Sequence, residues 1–497
     1  MPSVFLGIDA GSTTLKAAAF DGKSGRVLAW RGERLPLRAG PDGRREQAPA
    51  DLDRALKRVL TALRLELGRR WNEMRGVGLA AQGGSALIAE SETGKALTPM
   101  MLWNDTRARP FLAEVAGRKP TAFWRRHTWR NGPGHGLAKL LWFEAHRPGL
   151  LAPGRLLVGA GERLYFRLTG RWRQDPCHAL QIGGYNVPQR RLDTRLLAVI
   201  GRPLSVVPPL RNGHETHPLA RQAARRFGLP EGVPVAGPYM DHEAGFLSAA
   251  GVSDRPLQCS LGTAWVGNFV LPNHERWQSP THLVLPALTD DGWLVVQPLL
   301  TGNTTWDWAL TTLLDRDIKK ALAVSRALFK KTLLPPAGLT ALPWFNMAHP
   351  FEADAHGAGG FFGMNPATRP HDLVRALAAA MVYEMKRVFS NVIDQNQADS
   401  LVLGGGAGKD PALQTLFAAL FAGTPVLAAA EPDLIGARGS LHLFGTRAAH
   451  ARAVKVRRPP VKLRKAIEAD YARYFRIRER LYGDVPLGAP VTLGEGM

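Results

Sequence analysis

The sequence predicts a two-lobed α/β protein, and three observations carry that expectation. Val4 to Phe20 is an apolar run, a polar turn Asp9-Ala10-Gly11-Ser12 and a second apolar run, which is the pattern of a β-hairpin. Leu257 to Val270 repeats it, with Gly262-Thr263 at the turn. The length, 497 residues, exceeds one ordinary domain of roughly 100–250 residues. One hairpin near the start of each half implies a duplicated architecture with a nucleotide held between two lobes.

The hairpin tips carry the chemistry behind that implication. Gly11 lets backbone N–H groups face one concavity, which suits a phosphate, and Ser12, Thr13 and Thr14 add hydroxyl donors. Asp9, ending the first strand, can hold a magnesium ion against those phosphates through water. Lys16 shares a strand face with Thr14. An ordinary polar hairpin would read the same way, and the second hairpin is what favours the phosphate reading. That second hairpin has no carboxylate matching Asp9, so one lobe alone would carry the metal.

Taken in order, Arg26–Arg31 reads as a third strand, Arg38–Pro49 as a polar loop, and Ala50–Trp71 as a helix with Asp51 and Asp53 at its start. Met74–Ala81 is a strand ending at Gln82-Gly83-Gly84-Ser85, and Ala86–Glu90 continues extended. Thr98–Asp105 brings Trp103 and Asn104 to a strand end, where open α/β sheets bind ligands, although core packing would also explain Trp103. His135, a substrate contact or simply a loop residue, lies in a glycine loop before a helix over Leu137–Phe143. Tyr165–Gly184 reads as a turn, a strand and a small-residue segment. A strand stops at Met240-Asp241-His242 and a helix follows over Glu243–Gly251, so Asp241 is either a helix N-cap or a base facing a cleft. The lobe boundary falls near Ser253–Pro256. Trp293–Trp308 holds a strand, the turn around Gly302 and a helix; Pro366–Asn396 is a long helix. Leu401–Leu403 leads into Gly404-Gly405-Gly406-Ala407-Gly408-Lys409-Asp410. That run is no Walker loop, because Asp410 follows Lys409 where Ser or Thr belongs, and no dinucleotide fingerprint, because Lys409 takes the third glycine position. A turn that lets backbone approach an adenine or ribose fits what remains. Val454–Tyr482 is a basic tail with a helix over Ala466–Leu481.

Composition narrows the classes. A hydrophobic share of 45% is that of a globular chain with buried cores. No apolar run reaches the ~18 residues that span a bilayer, and the N-terminus has no signal-peptide pattern. Cys177 and Cys259 form no metal or disulfide framework, as expected of a cytoplasmic protein with reduced thiols. The formal charge of +22 would suit an anionic nucleotide or a nucleic acid. Its arginine pairs are dispersed along the chain, without a zinc-finger spacing or an aromatic–basic motif, which argues against specific nucleic-acid binding.

Together these stretches resemble the FGGY carbohydrate kinases, of the actin–hexokinase–Hsp70 (ribonuclease H-like) fold superfamily. Asp9 to Lys16 resembles the first phosphate motif, Leu102-Trp103-Asn104-Asp105-Thr106-Arg107 the substrate-side segment, and Asp241 the catalytic aspartate. Gly262-Thr263 resembles the second phosphate motif, Gly404-Gly405-Gly406-Ala407 the adenosine motif, and Leu434–Ser440 the closing glycine–alanine helix start. The resemblance covers Phe5 to about Ala448. It implies an N-terminal domain over residues 1–253, a C-terminal domain over 254–450 and a tail over 451–497, with ATP in the inter-lobe cleft. It implies a Mg²⁺-dependent transfer from ATP to a small sugar or polyol, with no membrane partner, and it admits a homodimer. Gln82, Gly83, Gly84, Trp103, Asn104, Asp241 and His242 would meet the sugar. Gly11 to Thr14, Lys16, Gly262, Thr263, Gly302, Gly404 to Ala407 and Lys409 would meet ATP.

The departures from the family bear on the substrate. Gln82-Gly83-Gly84 stands where xylulokinases show Gln-Met-His and glycerol kinases Arg-Glu. Gly134 replaces the tyrosine of glycerol kinases, His242 stands where Gln or Asn is common, and the Gly-Glu-Arg segment is absent around Asn346–Gly360. These disfavour glycerol and leave a pentulose such as xylulose, or an erythritol-like polyol. The two glycines imply extra room in the pocket. An actin-like ATPase would share the hairpins but would need no sugar site.

Overall fold

A computed structural model describes residues 3–211, 215–272, 282–288, 292–299, 301–345, 359–394 and 398–482. The chain divides into two compact units. The first comprises Met1–Gly251, Leu283–Leu294 and Leu434–Ala451; the second comprises Val252–His282, Val295–Asp433 and Arg452–Met497. The family's closing helix, expected in the C-terminal domain, therefore groups with the first unit.

The first unit is built on β1 (Val4–Ala10), β2 (Thr14–Asp21), β3 (Val27–Arg34), α1 (Pro49–Leu67), β4 (Met74–Ala81), α2 (His135–His146), α3 (Ala160–Thr169), α4 (Pro176–Ile182), β5 (His217–Pro218), β6 (Pro234–Met240) and α5 (Asp241–Ala249). Its sheet runs β5-β6-β4-β1-β2-β3. β1 pairs antiparallel with β2 and parallel with β4, which pairs parallel with β6. The three parallel strands are buried almost throughout, as strands covered on both faces should be. Leu52, Leu56, Val59, Leu60 and Leu63 put the apolar stripe of α1 into the same core as β1 and β4.

Several local expectations change. The polar loop at 38–49 contains short strands Arg38–Ala39 and Arg45–Gln47. Helix α1 stops at Leu67, where Gly68 takes a φ of 55°, and a 3₁₀ turn carries the chain to Glu73. The strand expected within 165–184 does not form. Leu164, Tyr165 and Leu168 are one buried face of α3, and Asp175 starts α4 by accepting the Cys177 and His178 amides at 2.7 and 3.1 Å. The helix after the glycine loop begins at His135 itself. Asp241 is the first residue of α5, not its N-cap; Met240 holds that position. Asp53 is drawn into the interior, where Arg163 of α3 grips it at 2.6 and 3.0 Å and Arg226 adds a bond at 3.1 Å.

The second unit repeats the plan. β7 (Pro256–Leu261) and β8 (Trp265–Leu271) form an antiparallel hairpin, followed by β9 (Trp293–Pro298), α6 (Asn303–Leu313), α7 (Pro370–Asp394), β10 (Ser400–Gly404), α8 (Pro411–Leu420), β11 (Val426–Ala429), β12 (Ala453–Lys455) and α9 (Val461–Tyr482). Among these strands the order in the seven-stranded sheet is β9-β8-β7-β10-β11-β12, with β7, β10 and β11 parallel. In each unit, then, an antiparallel hairpin has a parallel strand beside its first arm. Helix α9 starts five residues before the expected Ala466 and is tied to α7, with the Tyr383 hydroxyl donating to Asp470 at 2.6 Å and the Tyr474 hydroxyl to Glu384 at 2.5 Å. The part of the tail beyond Tyr482 lies outside the described residues.

Asp53→Ala is expected to destabilise the protein by about 3–5 kcal/mol, the usual cost of leaving a buried charge without its partner. Denaturant midpoints of the variant and the parent test this, and a loss below about 1 kcal/mol would show that Arg163 finds water instead.

Candidate active site

Three parallel strands of the first unit end side by side, because Asp9 is level with Ala80, and Ala10 and Met240 with Ala81. Their ends are therefore neighbours: Asp9 is the next-to-last residue of β1, Gln82 follows β4 with its amide donating to the Ala10 carbonyl at 3.0 Å, and Asp241 follows β6. The carboxyl ends of parallel strands are where α/β sheets bind ligands. Asp9 faces Lys16 across the hairpin. Burial pushes the Asp9 carboxyl up to about 7; the Lys16 charge opposes the shift and the Asp241 charge adds to it. A Cβ at Gly436 would stand 2.7 Å from Asp9 Oδ2, so glycine there is what lets the short helix Ile435–Gly439 reach this carboxylate. At the hairpin tip, the Gly11 amide donates to the Thr14 carbonyl at 3.1 Å and so closes the turn rather than facing outward. Gln47 Nε2 holds the Ser12 carbonyl at 2.5 Å, while Thr13 is exposed.

The residues after β4 form the floor of a polar site. Gln82 is buried; its Oε1 accepts from Ser85 Oγ at 2.7 Å, and that Oγ accepts the Trp103 amide at 3.0 Å. Gln82 Nε2 and Asn104 Oδ1 are buried without hydrogen-bond partners among the described residues. The neighbouring Asp105 and Arg107 instead turn inward: Arg107 forks onto Asp105 and reaches Glu46 at 2.6 Å. His242 lies beside Asp241, its Nε2 3.9 Å from Oδ1, and Asp241 Oδ1 accepts the His242 amide at 2.9 Å.

Two residues that the sequence reading missed shape this floor. Lys139, buried on α2, donates to the carbonyls of Gly84 (2.7 Å), Met101 (3.2 Å) and Leu102 (2.8 Å). Burial pushes its pKa down to about 7, with Asp105 opposing. Three carbonyls use all three protons of the ammonium, and on that geometry we read it as charged. It staples the Gly83-Gly84 loop to the Trp103 loop. Gln181 of α4 is the second. A Cβ at Gly83 would collide with Gln181 Oε1 and stand 3.2 Å from Met240 Cε; one at Gly84 would stand 3.2 Å from both Gln181 Oε1 and Trp103 Cβ. The room expected beside the two glycines is therefore occupied by Gln181. A lysine in an apolar helix and a glutamine distant in the chain give no local signal of either contact.

In the second unit the expected nucleotide residues converge. The Asn303 amide at the start of α6 donates to the Gly262 carbonyl at 3.0 Å, and Trp265 Nε1 donates to Asn303 Oδ1 at 3.0 Å. A Cβ at Gly302 would stand 2.5 Å from the Thr263 carbonyl oxygen, and one at Gly405 (φ 82°) 2.6 Å from the Leu261 carbonyl carbon. The Gly262-Thr263 turn thus packs directly on both glycine segments. Gly404 is buried at the end of β10, Gly406 is exposed, and Ala407 is buried in the 3₁₀ turn Gly406–Lys409. Lys409, expected at the nucleotide, is paired with Asp433. Residues 346–358, where the Gly-Glu-Arg segment was expected to be missing, lie outside the described residues. Among the described residues no cluster of three or more His, Cys, Asp or Glu could hold a metal alone, and no helix is long and apolar enough to cross a membrane.

Comparison with known proteins places both units. Residues 4–248 match the FGGY family of carbohydrate kinases, N-terminal domain, and residues 257–446 match its C-terminal domain. A xylulose kinase of Escherichia coli K12 is 24% identical over 386 residues, covering 77% of each chain. An erythritol kinase of Brucella abortus is 24% identical, covering 87% of this chain and 86% of its own. A xylulose kinase structure from Rhodospirillum rubrum shares the fold with a TM-score of 0.80 at 21% identity, over 96% of this chain and 99% of that one.

The raised Asp9 carboxyl has a stability consequence. Between its ordinary 3.8 and about 7, the folded chain binds more protons at Asp9 than the unfolded chain. The stabilisation is complete below the lower value and is lost as pH rises through the upper one. In chelator, Asp9→Asn should therefore gain stability relative to the parent as pH rises from about 4 to 7, then hold a constant difference. Denaturant midpoints across that range test it; a pH-independent difference would refute it.

Proposed function

Because this chain belongs to the FGGY family of carbohydrate kinases, we propose that it transfers the γ-phosphoryl group of ATP to a primary hydroxyl of a small sugar. The convergence of Asp9, Gln82 and Asp241 at adjacent strand ends carries this reading. The acceptor we assign is a pentulose such as xylulose, with a four- or five-carbon polyol next. Relatives named xylulose kinase and erythritol kinase support these two acceptor classes, and so do the neutral amides of Gln82, Asn104 and Gln181, which match hydroxyl groups. An actin-like ATPase would leave these buried amides without a purpose. The two buried free thiols suit a cytoplasmic enzyme.

Phosphoryl transfer is mainly positioning and charge stabilisation. Asp241, with its side chain 31% exposed, takes the proton of the attacking hydroxyl at a carboxylate oxygen. Gln82, Asn104 and Trp103 orient the acceptor on loops that Lys139 fixes. Lys16 and the hydroxyls of Ser12, Thr13 and Thr14 address phosphate, as does the Gly262-Thr263 turn in the second unit, where Gly404 to Ala407 and Gly302 serve the nucleoside. Lys409 is set aside because it is paired with Asp433. The residues present fit Mg²⁺: burial, and to a smaller extent the Asp241 charge, disfavour the ionised Asp9 carboxylate, and a cation beside it offsets both. A site with few protein carboxylates suits an ion that keeps waters and binds phosphate. Asp9 would hold it, and it would neutralise charge on the phosphates.

ADP release measured across a panel of ketoses and polyols tests the assignment, and a pentulose should lead. Asp241→Asn should lower kcat by about 10²–10⁴-fold while calorimetric binding of sugar and ATP persists. Near-parental turnover would sink the base assignment.

A further inference from the structure

We propose that Gln181 selects the acceptor: its Oε1, seated in the space that a side chain at position 83 would otherwise fill, takes a hydrogen bond from a sugar hydroxyl. The inference rests on the kinase reading above and names which residue discriminates among acceptors. Four observations carry it.

Gln181 Oε1 is buried and has no hydrogen-bond partner among the described residues, and a buried acceptor left unpaired carries a desolvation cost that a bound donor recovers. It lies over Gly83, where an added Cβ would also meet the Met240 methyl, and beside Gly84, where an added Cβ would also meet Trp103 Cβ. Gln82 Nε2 and Asn104 Oδ1, on the loops that Lys139 joins, are also buried without partners. One open donor and two open acceptors suit a polyhydroxyl molecule, since each hydroxyl both donates and accepts. Finally, α4 is held in place. His178 Nδ1 accepts the Gly84 amide at 3.2 Å, and the α4 cap, Asp175, is bound by Arg211 at 2.7 Å. The same Arg211 nitrogen binds Glu243 of α5, the helix that Asp241 begins, at 2.9 Å. The amide and the base are thereby referenced to one guanidinium.

A carbonyl oxygen at Gln181 needs a donor, which a hydroxyl supplies and a ketone or deoxy carbon does not. The amide therefore reads which carbon of the acceptor carries a hydroxyl. A side chain at 83 and Gln181 compete for one volume, so a bulky residue at 83 pushes the amide out and removes the same bond.

The test compares the parent protein with Gln181→Met, which keeps volume and removes the acceptor atom, Gly83→Met, and the double variant. All are assayed for ADP release with D- and L-xylulose, D- and L-ribulose, erythritol and ribitol, and for the KM of ATP. Gln181→Met should lower kcat/KM for the preferred acceptor by about 10–100-fold, reorder the panel and leave the KM of ATP within about twofold. Gly83→Met should do the same, and the double variant should be little worse than either, because both remove one interaction. An unchanged ranking with a uniform loss, or losses that multiply in the double variant, would overturn the role of Gln181 while leaving the kinase reading intact. A parent protein that releases ADP with no member of the panel would overturn the acceptor reading, and this inference with it.

Discussion

Glycine-mediated backbone contact is what the first unit's site depends on. The short helix Ile435–Gly439 and its C-cap Ser440 meet three elements with no side chain between. A Cβ at Gly7 of β1 would collide with the Ala437 carbonyl, one at Gly78 of β4 with that of Ser440, and one at Gly439 with that of Ala244 in α5. Rigid backbone is on the far side of each contact, so no rotamer change could absorb a methyl group, and overpacking of this kind costs about 1–3 kcal/mol. The helix thereby fixes β1, which carries Asp9, against α5, which begins with Asp241. It is also why a segment nearly two hundred residues downstream groups with the first unit: what it touches is the sheet that carries Asp9 and leads into Asp241.

The parts legible in the sequence were those with local signals. Both hairpins, the helical period of α1 and the glycine turn after β10 follow from short windows, and the FGGY motifs fall in the expected order. What was not legible depends on contacts between distant residues. Asp53 looked like a helix-start charge because the sequence does not show Arg163 and Arg226 arriving from α3 and beyond. The 165–184 stretch looked strand-like because the Asp175 cap and the α3 core face are recognisable only once Leu164, Tyr165 and Leu168 have a surface to pack on. Gly83-Gly84 looked like empty space, since the glutamine that fills it is about a hundred residues away.

Charge balance in the buried layer behind the site closes the account. Arg211 carries one positive charge and meets two carboxyls, those of Asp175 and Glu243, with all three side chains almost wholly buried. Two carboxylates would leave a net negative charge in a low-dielectric interior, which is strongly unfavourable. One proton held between the two carboxyls removes that excess. Burial and the Asp175 charge push Glu243 well above its ordinary range, so that it keeps its proton. Burial also works against Asp175, but the Arg211 charge and the hydrogen bond from Glu243 hold it below its ordinary range, so that it stays ionised. One cation, one anion and one neutral acid then form a neutral, bonded cluster. Because Asp175 caps α4 and Glu243 belongs to α5, the guanidinium joins the helix bearing Gln181 to the helix begun by Asp241.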